Sequence, residues 1–241
     1  MLITGKRLPS KINEEMTLTI KGTELKFVPS AKPLGLEIDS ELSFTSHVEK
    51  LCKKLSQRSG LLKKIRSCLP TKQRLLYYNT MTRSVLHYVS SIYTSCDKEN
   101  LRRVFKLQKR AARVISDANN QASSVKLFNS LQWLPFYEEV KIAKCCVAYK
   151  RIKGEVPLYI EDSLRLNSQQ HSRVTRYSNI NFICPKFNQV TEVGRSFTVF
   201  TCQLWNSLSL DLRNAVSLES FKNNYRNILF KEQQELHNFI V

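Results

Sequence analysis

Glycine is scarce, with six residues in 241. That excludes a glycine-rich loop cradling phosphate, and few turns can rely on a left-handed glycine. No apolar run reaches the roughly 18 residues that a membrane-spanning helix needs. No basic start followed by an apolar stretch marks an export signal, so an intracellular protein is expected, nuclear or cytoplasmic and not secreted. The seven cysteines include no CxxC pair. Their odd number and spacing favour reduced, mostly buried thiols. A zinc site drawn from Cys145, Cys146, Cys184 or Cys202 with His171 would have the wrong ligand spacing.

Acidic residues are also few. The five aspartates are Asp39, Asp97, Asp117, Asp162 and Asp211, and no two are adjacent. Phosphoryl transfer by two metal ions needs carboxylates that converge on one pocket. The adjacent acid pairs Glu14-Glu15, Glu138-Glu139 and Glu161-Asp162 read instead as solvated or paired surface acids. His47, His87, His171 and His237 have no poised serine or cysteine beside them, and no G-x-S-x-G occurs. No catalytic residue, metal ligand or cofactor is expected in this chain.

Positive charge is abundant. Lysine and arginine number 38 against 20 acids, a formal net charge of +18. Such a charge repels itself in a compact state unless a polyanion shares the work. Nucleic acid is the expected partner, and an acidic membrane surface is second. Most of the charge is local. Between His47 and Arg113 stand seventeen Lys or Arg and three acids, a net +14. Lys50, Lys54, Arg58 and Lys64 fall opposite a leucine stripe. Arg102, Lys106, Lys109 and Arg113 repeat at helical spacing. A solvated helix face would interleave glutamate with lysine, and here the acids are missing. Together with Lys63, Arg66, Arg103 and Arg110 these residues form a candidate phosphate track that binds backbone rather than bases. The cationic faces lack the opposing Trp- or Phe-rich face of membrane-surface helices.

The periodicities predict an α+β chain that is mostly α-helical. Residues 17–20 and 25–28 read as a hairpin turning at Gly22. Leu34–Asp39 alternates like a strand with Leu34, Leu36 and Ile38 on one face. Ser46 and Glu49 suggest a capping box for a helix carrying Val48, Leu51, Leu55, Leu62 and Leu69. A second helix, capped by Thr71, carries Leu75, Tyr78, Val85, Tyr88, Val89 and Ile92. A third, capped by Asp97, carries Leu101, Val104, Phe105, Ala111, Ala112 and Ile115. Short helices follow from Ser123 or Ser124 and from Val156 to Leu164, with a longer one between Pro135 and Gly154. Residues 165–178 read as a surface loop and Asn179–Cys184 as a strand. Phe197–Trp205 fits strand or helix. Ser217 caps a last helix with Leu218, Phe221, Tyr225 and Ile228, and its tail is expected to fray from Lys231.

Several segments, in order, resemble the reverse transcriptases of jockey-like non-LTR (LINE-type) retrotransposons. Leu34-Gly35-Leu36-Glu37-Ile38-Asp39, then Leu42-Ser43-Phe44 and His47-Val48, resemble the strand and helix entry after that family's catalytic palm. Ser59–Arg66 is similar to its first thumb helix, and Leu107–Ile115 to its L-Q-N-R-A-A-R-I-I run. Leu131-Gln132-Trp133-Leu134-Pro135 is similar to its L-x-W-L-P segment. Leu204-Trp205-Asn206-Ser207-Leu208, with Leu212-Arg213 and Ser220-Phe221-Lys222, is similar to its closing block. The chain departs from the family at Pro33, where tyrosine is usual, and at Ser209, where proline is usual.

The resemblance implies three parts. Residues 1–40 correspond to the end of the palm, with Leu34, Gly35 and Leu36 in a primer-grip-like hairpin. Residues 41–118 correspond to the helical thumb, and residues 119–241 to the carboxy-terminal region. The catalytic aspartates, and the magnesium that the parent enzyme would use, belong to palm and fingers preceding Met1. The expectation is a truncated RNA-directed DNA polymerase, inactive by itself, that keeps template–primer binding to an RNA:DNA hybrid, RNA or DNA. The alternative is a non-catalytic nucleic-acid-binding or interaction protein derived from a transposon copy.

Overall fold

A computed structural model of the chain describes residues 19–24, 28–169, 180–185 and 196–238. The described residues are mostly helical, with short antiparallel strands near the N-terminus. Thr17, Leu18, Leu25–Phe27 and residues 170–179, on which some of the expectations fall, lie outside them. Strands β1 (Thr19–Ile20) and β2 (Thr23–Glu24) pair as Ile20↔Thr23 and Thr19↔Glu24. Their two-residue turn, Lys21-Gly22, has positive φ at both positions (50° and 79°), the hairpin turn that favours glycine.

The strand expected over Leu34–Asp39 is shorter than the alternation suggests. Only β4 (Ile38–Asp39) is extended, and it pairs with β3 (Ser30–Ala31). Pro33–Gly35 forms a tight turn in which Leu34 and Gly35 both have positive φ (48° and 82°). Two successive left-handed residues curl the chain, so the alternation never develops. Leu34 is 89% exposed and Leu36 only 4%, so the two leucines do not share a face.

The capping box is also absent. Helix α1 (Thr45–Ile65) begins after a left-handed Phe44, with no side-chain cap from Ser46. Asp39 does the organising instead. Its Oδ1 accepts from the Ser43 amide (2.9 Å), and its Oδ2 from the Phe44 amide (2.8 Å). Val48, Leu51, Leu55, Ser59 and Leu62 form the buried stripe of α1. Gly60 stays helical, and a Cβ added there would meet nothing within 4 Å. Gly60→Ala is therefore expected to stabilise the chain by about 1 kcal/mol, read as a raised urea midpoint with unchanged slope.

The second helical region is broken where a single helix is expected. It comprises α2 (Thr71–Tyr77), a π-helical segment (Tyr78–Arg83), α3 (Ser84–His87) and α4 (Ser90–Tyr93). Pro70, not Thr71, occupies the N-cap of α2. The wide turn shifts the register. Tyr78, Thr82, Leu86, Ser90 and Tyr93 enter the core, while Tyr88 and Ile92 are exposed. Val89 is left-handed (φ 47°), and Tyr88 donates its hydroxyl to the Leu34 carbonyl.

Helix α5 (Lys98–Ile115) matches its expected start, with Asp97 Oδ1 accepting the Asn100 amide at 2.8 Å. It runs parallel to α1. Asn100 Nδ2 donates to Thr45 Oγ1 (3.2 Å) at one end, and Arg66 pairs with Asp117 (2.9 Å) at the other. Then come α6 (Ser124–Ser130), α7 (Phe136–Ile152) and α8 (Leu158–Ser163). Gly154, at φ 72°, ends α7 and donates to the Arg151 carbonyl. Phe182 makes only an isolated bridge to Leu166, in place of the expected strand. Phe197–Ser207 resolves as helix, α9, with Ser196 as N-cap. Short α10 (Leu210–Arg213) leads to α11 (Leu218–Asn238), whose first turn is capped by Ser217 accepting the Ser220 amide. Helix α11 continues past Lys231 to Asn238, and it buries Leu229 rather than Ile228.

Helix α7 joins the hydrophobic clusters. Phe136 and Val140 pack with Val48, Leu55, Leu86 and Val104. Cys145 and Tyr149 pack with Trp205, Phe221 and Tyr225. Buried residues occur on most of its faces, as expected for a helix inside a core. A further cluster stacks Tyr78 on Trp133 at 4.1 Å and adds Leu62, Ala112, Ile115 and Phe128. Packing is thus continuous across residues 118–119.

Candidate nucleic-acid interface

The buried stripes of α1 and α5 meet in the core, so their cations face outward. On α5, Val104, Gln108, Ala111 and Ile115 point inward. Helical geometry then puts Arg102, Lys106, Lys109 and Arg113 together on the opposite face. Arg103 and Arg110, seven residues apart, lie on the flank facing α1. Burial pushes the Cys52 thiol of α1 up, and the nearby Arg103 charge offsets part of that rise. On α1, Lys50, Lys54 and Lys64 are exposed behind the leucine stripe, as is Lys53. Arg58 is half-buried on one flank, and exposed Lys63 lies on the other. The row on α5 and the back of α1 border a shared outer surface along two parallel helices.

Several of these cations have partners. Lys50 bonds Glu37 (2.7 Å), Arg66 bonds Asp117 (2.9 Å) and Arg102 bonds Glu99 (3.0 Å). The Arg66 and Arg102 pairs are exposed on both sides and contribute about 0–1 kcal/mol, so a phosphate can replace those carboxylates at little cost. Arg103 donates to Asn100 Oδ1, and Arg113 to the Ala122 carbonyl, both at 3.1 Å. Lys109 Nζ lies 4.5 Å from the centre of the Phe105 ring. Lys54, Arg58, Lys63, Lys64, Lys106 and Arg110 have no ion pair among the described residues. The exposed tip at Leu34, the turn glycine Gly35 and buried Leu36 sit on α3 and α4, through Tyr88, rather than on the cationic row.

Among the described residues, no group of three or more His, Cys, Asp or Glu side chains could hold a metal ion. Asp39, Asp97 and Asp117 are engaged in a turn, a cap and an ion pair. Burial pushes the thiols of Cys145 and Cys202 up, the latter to about 12, so both stay protonated. His171 and Glu14-Glu15 lie outside the described residues. No described helix is long and apolar enough to cross a membrane.

Two charged positions are not evident from sequence. Glu139 is not the surface acid expected, because its side chain is only 11% exposed. It binds Arg83 (3.0 Å), His87 (2.7 Å) and Arg226 (3.2 Å), joining the π-helical segment, α3, α7 and α11. Burial alone would raise its carboxyl, but the hydrogen bond and charge of His87 with the charge of Arg83 hold it at about 2. Its neighbour Glu138 pairs with Lys141 (2.8 Å), and Glu161 with Arg151 (3.7 Å).

The second position is Lys144, buried on α7 with its Nζ 4.6 Å from the Phe200 ring centre. Burial lowers its ammonium to about 8. A lysine whose folded pKa is depressed costs stability while charged, and that cost fades as pH rises from about 8 towards 10.5. Lys144→Met is expected to stabilise the fold by about 2 kcal/mol at neutral pH, with the gain shrinking across that window. Urea unfolding at pH 7 and pH 10 measures it.

Comparison with known protein families, with curated proteins and with solved structures gives no match.

Proposed function

We propose that this chain grips the sugar-phosphate backbone of nucleic acid through α1 and α5, as the thumb and carboxy-terminal part of a non-LTR reverse transcriptase whose reaction centre lies elsewhere. The observation that carries the reading is the α5 row Arg102, Lys106, Lys109 and Arg113, set in a stretch with seventeen cations and three acids. A thumb must hold a duplex yet let it slide. Phosphate contacts allow this, because they are equivalent at every register and carry no sequence information. Exposed lysines and arginines on rigid helices supply such contacts without base readout. Nucleotide addition is assigned to carboxylates outside this chain.

The test is binding of the full chain to RNA:DNA hybrids of unrelated sequence by fluorescence anisotropy. Affinities within about two-fold of one another are expected, since backbone contacts carry no sequence term. A preference of a hundred-fold for one sequence would contradict the reading. So would magnesium-dependent nucleotide incorporation above a buffer blank by the purified chain.

A further inference from the structure

A half-open groove of about 620 Å³ runs between α5, α6, α7 and α11, beside the cationic row. Three aromatic rings stand among apolar and polar lining residues. Phe105 from α5, Phe128 from α6 and Tyr137 from α7 line it. The rings meet edge to face, Phe105 with Tyr137 at 5.3 Å and Phe105 with Phe128 at 6.0 Å. Tyr137 is 40% exposed and Val125 37%, whereas Phe128 is buried and Lys109 lies over Phe105, so Tyr137 is the ring that stays open to solvent. Lys109 belongs both to the groove and to the α5 row, and Lys126 is a second cation lining it. Of the two acids there, Glu138 is already paired with Lys141. Glu232 remains without an ion pair among the described residues.

We infer that this groove receives an unpaired nucleobase from the strand whose phosphates lie along Arg102, Lys106, Lys109 and Arg113. The inference rests on the phosphate-track reading and adds the ligand class, nucleic acid with a single-stranded end or gap. Flat apolar ligands of nucleotide size suit a groove of this volume and lining. Every base has a π-face that stacks on aromatic side chains, so the preference is for unpaired bases rather than for a sequence. A base inside a duplex is stacked and paired and cannot enter. A neutral apolar ligand would have no use for the continuous cationic row. An acidic polymer carrying flat bases uses both surfaces.

The test compares three labelled ligands with the full chain: a blunt 16-base-pair duplex, the same duplex with a four-nucleotide overhang, and the same with an overhang of abasic sites. The base-bearing overhang is expected to bind about ten-fold tighter than the abasic one, because the charge is equal and only stacking differs. Tyr137→Ala should abolish that ratio, and Tyr137→Phe, which keeps the ring, should retain it. Both variants should leave blunt-duplex affinity and its salt dependence unchanged. Equal binding of base-bearing and abasic overhangs, with blunt-duplex binding intact, overturns the groove assignment and leaves the phosphate track standing. An apolar protein segment as the occupant would give that same equality. Failure to bind any of the three ligands overturns both readings.

Discussion

Replacing Glu139 with glutamine is expected to lower the unfolding free energy by about 3 kcal/mol at pH 7, the scale of breaking a buried ion pair by removing one partner. The charge removed stands between Arg83 and His87, one helical turn apart, and Arg226 from the distant α11. Glutamine keeps the shape and one acceptor oxygen, so cavity formation contributes little. What is lost is compensation for cations that remain partly desolvated. The pH dependence identifies the cause. A carboxyl with a depressed folded pKa contributes stability that is full above its ordinary value of 4.5 and is lost as pH falls towards about 2. The gap between wild type and Glu139→Gln should therefore be widest above pH 5 and should close as pH falls to 2. Urea unfolding at a series of pH values measures it. A gap that persists unchanged at pH 2 would assign the effect to packing.

The other large effect concerns binding. Removing four phosphate contacts by Arg102→Ala, Lys106→Ala, Lys109→Ala and Arg113→Ala together should weaken hybrid binding roughly a thousand-fold at about 0.1 M salt. The estimate follows from counterion release, in which each neutralised phosphate adds about 0.9 to the slope of log affinity against log salt. Four losses should therefore flatten that slope by roughly 3.6. Arg102 and Lys106 are exposed and Lys109 and Arg113 half-buried, and none belongs to the buried stripe of α5, so the helix should survive. Arg113 also holds the Ala122 carbonyl, so far-UV circular dichroism and thermal melting of the variant must accompany the binding data. A folded quadruple variant that binds like wild type would remove α5 from the interface.

Helix α5 was readable because its information is local. Asp97 caps it, the apolar stripe repeats, and the cations occupy the remaining face within eighteen residues. Helix α1 was readable for its stripe but not for its start. The donors there go to Asp39, on a strand whose length the alternation of leucines overstated. The break between α3 and α4 was hidden because the Tyr88 beside it bonds Leu34, fifty-four residues away. Helix α9 read equally as a strand, since Phe197–Trp205 is apolar on most sides and neither period dominates. The Glu139 hub was invisible for the same reason of distance. Arg226 lies eighty-seven residues further along, and nothing around Glu138-Glu139 distinguishes a buried hub from a solvated pair. The fold class and the cationic row were therefore legible. The charged joint between α3, α7 and α11, and the aromatic groove beside the row, exist only once the helices have packed.

The salt dependence of binding by the unaltered chain bears most directly on the phosphate track. With a 20-base-pair RNA:DNA hybrid, log affinity should fall linearly with log salt at a slope of about −4 or steeper, reflecting at least four to five neutralised phosphates. A flat line, or no measurable binding at about 50 mM salt, would mean that these helices carry their charge for another purpose.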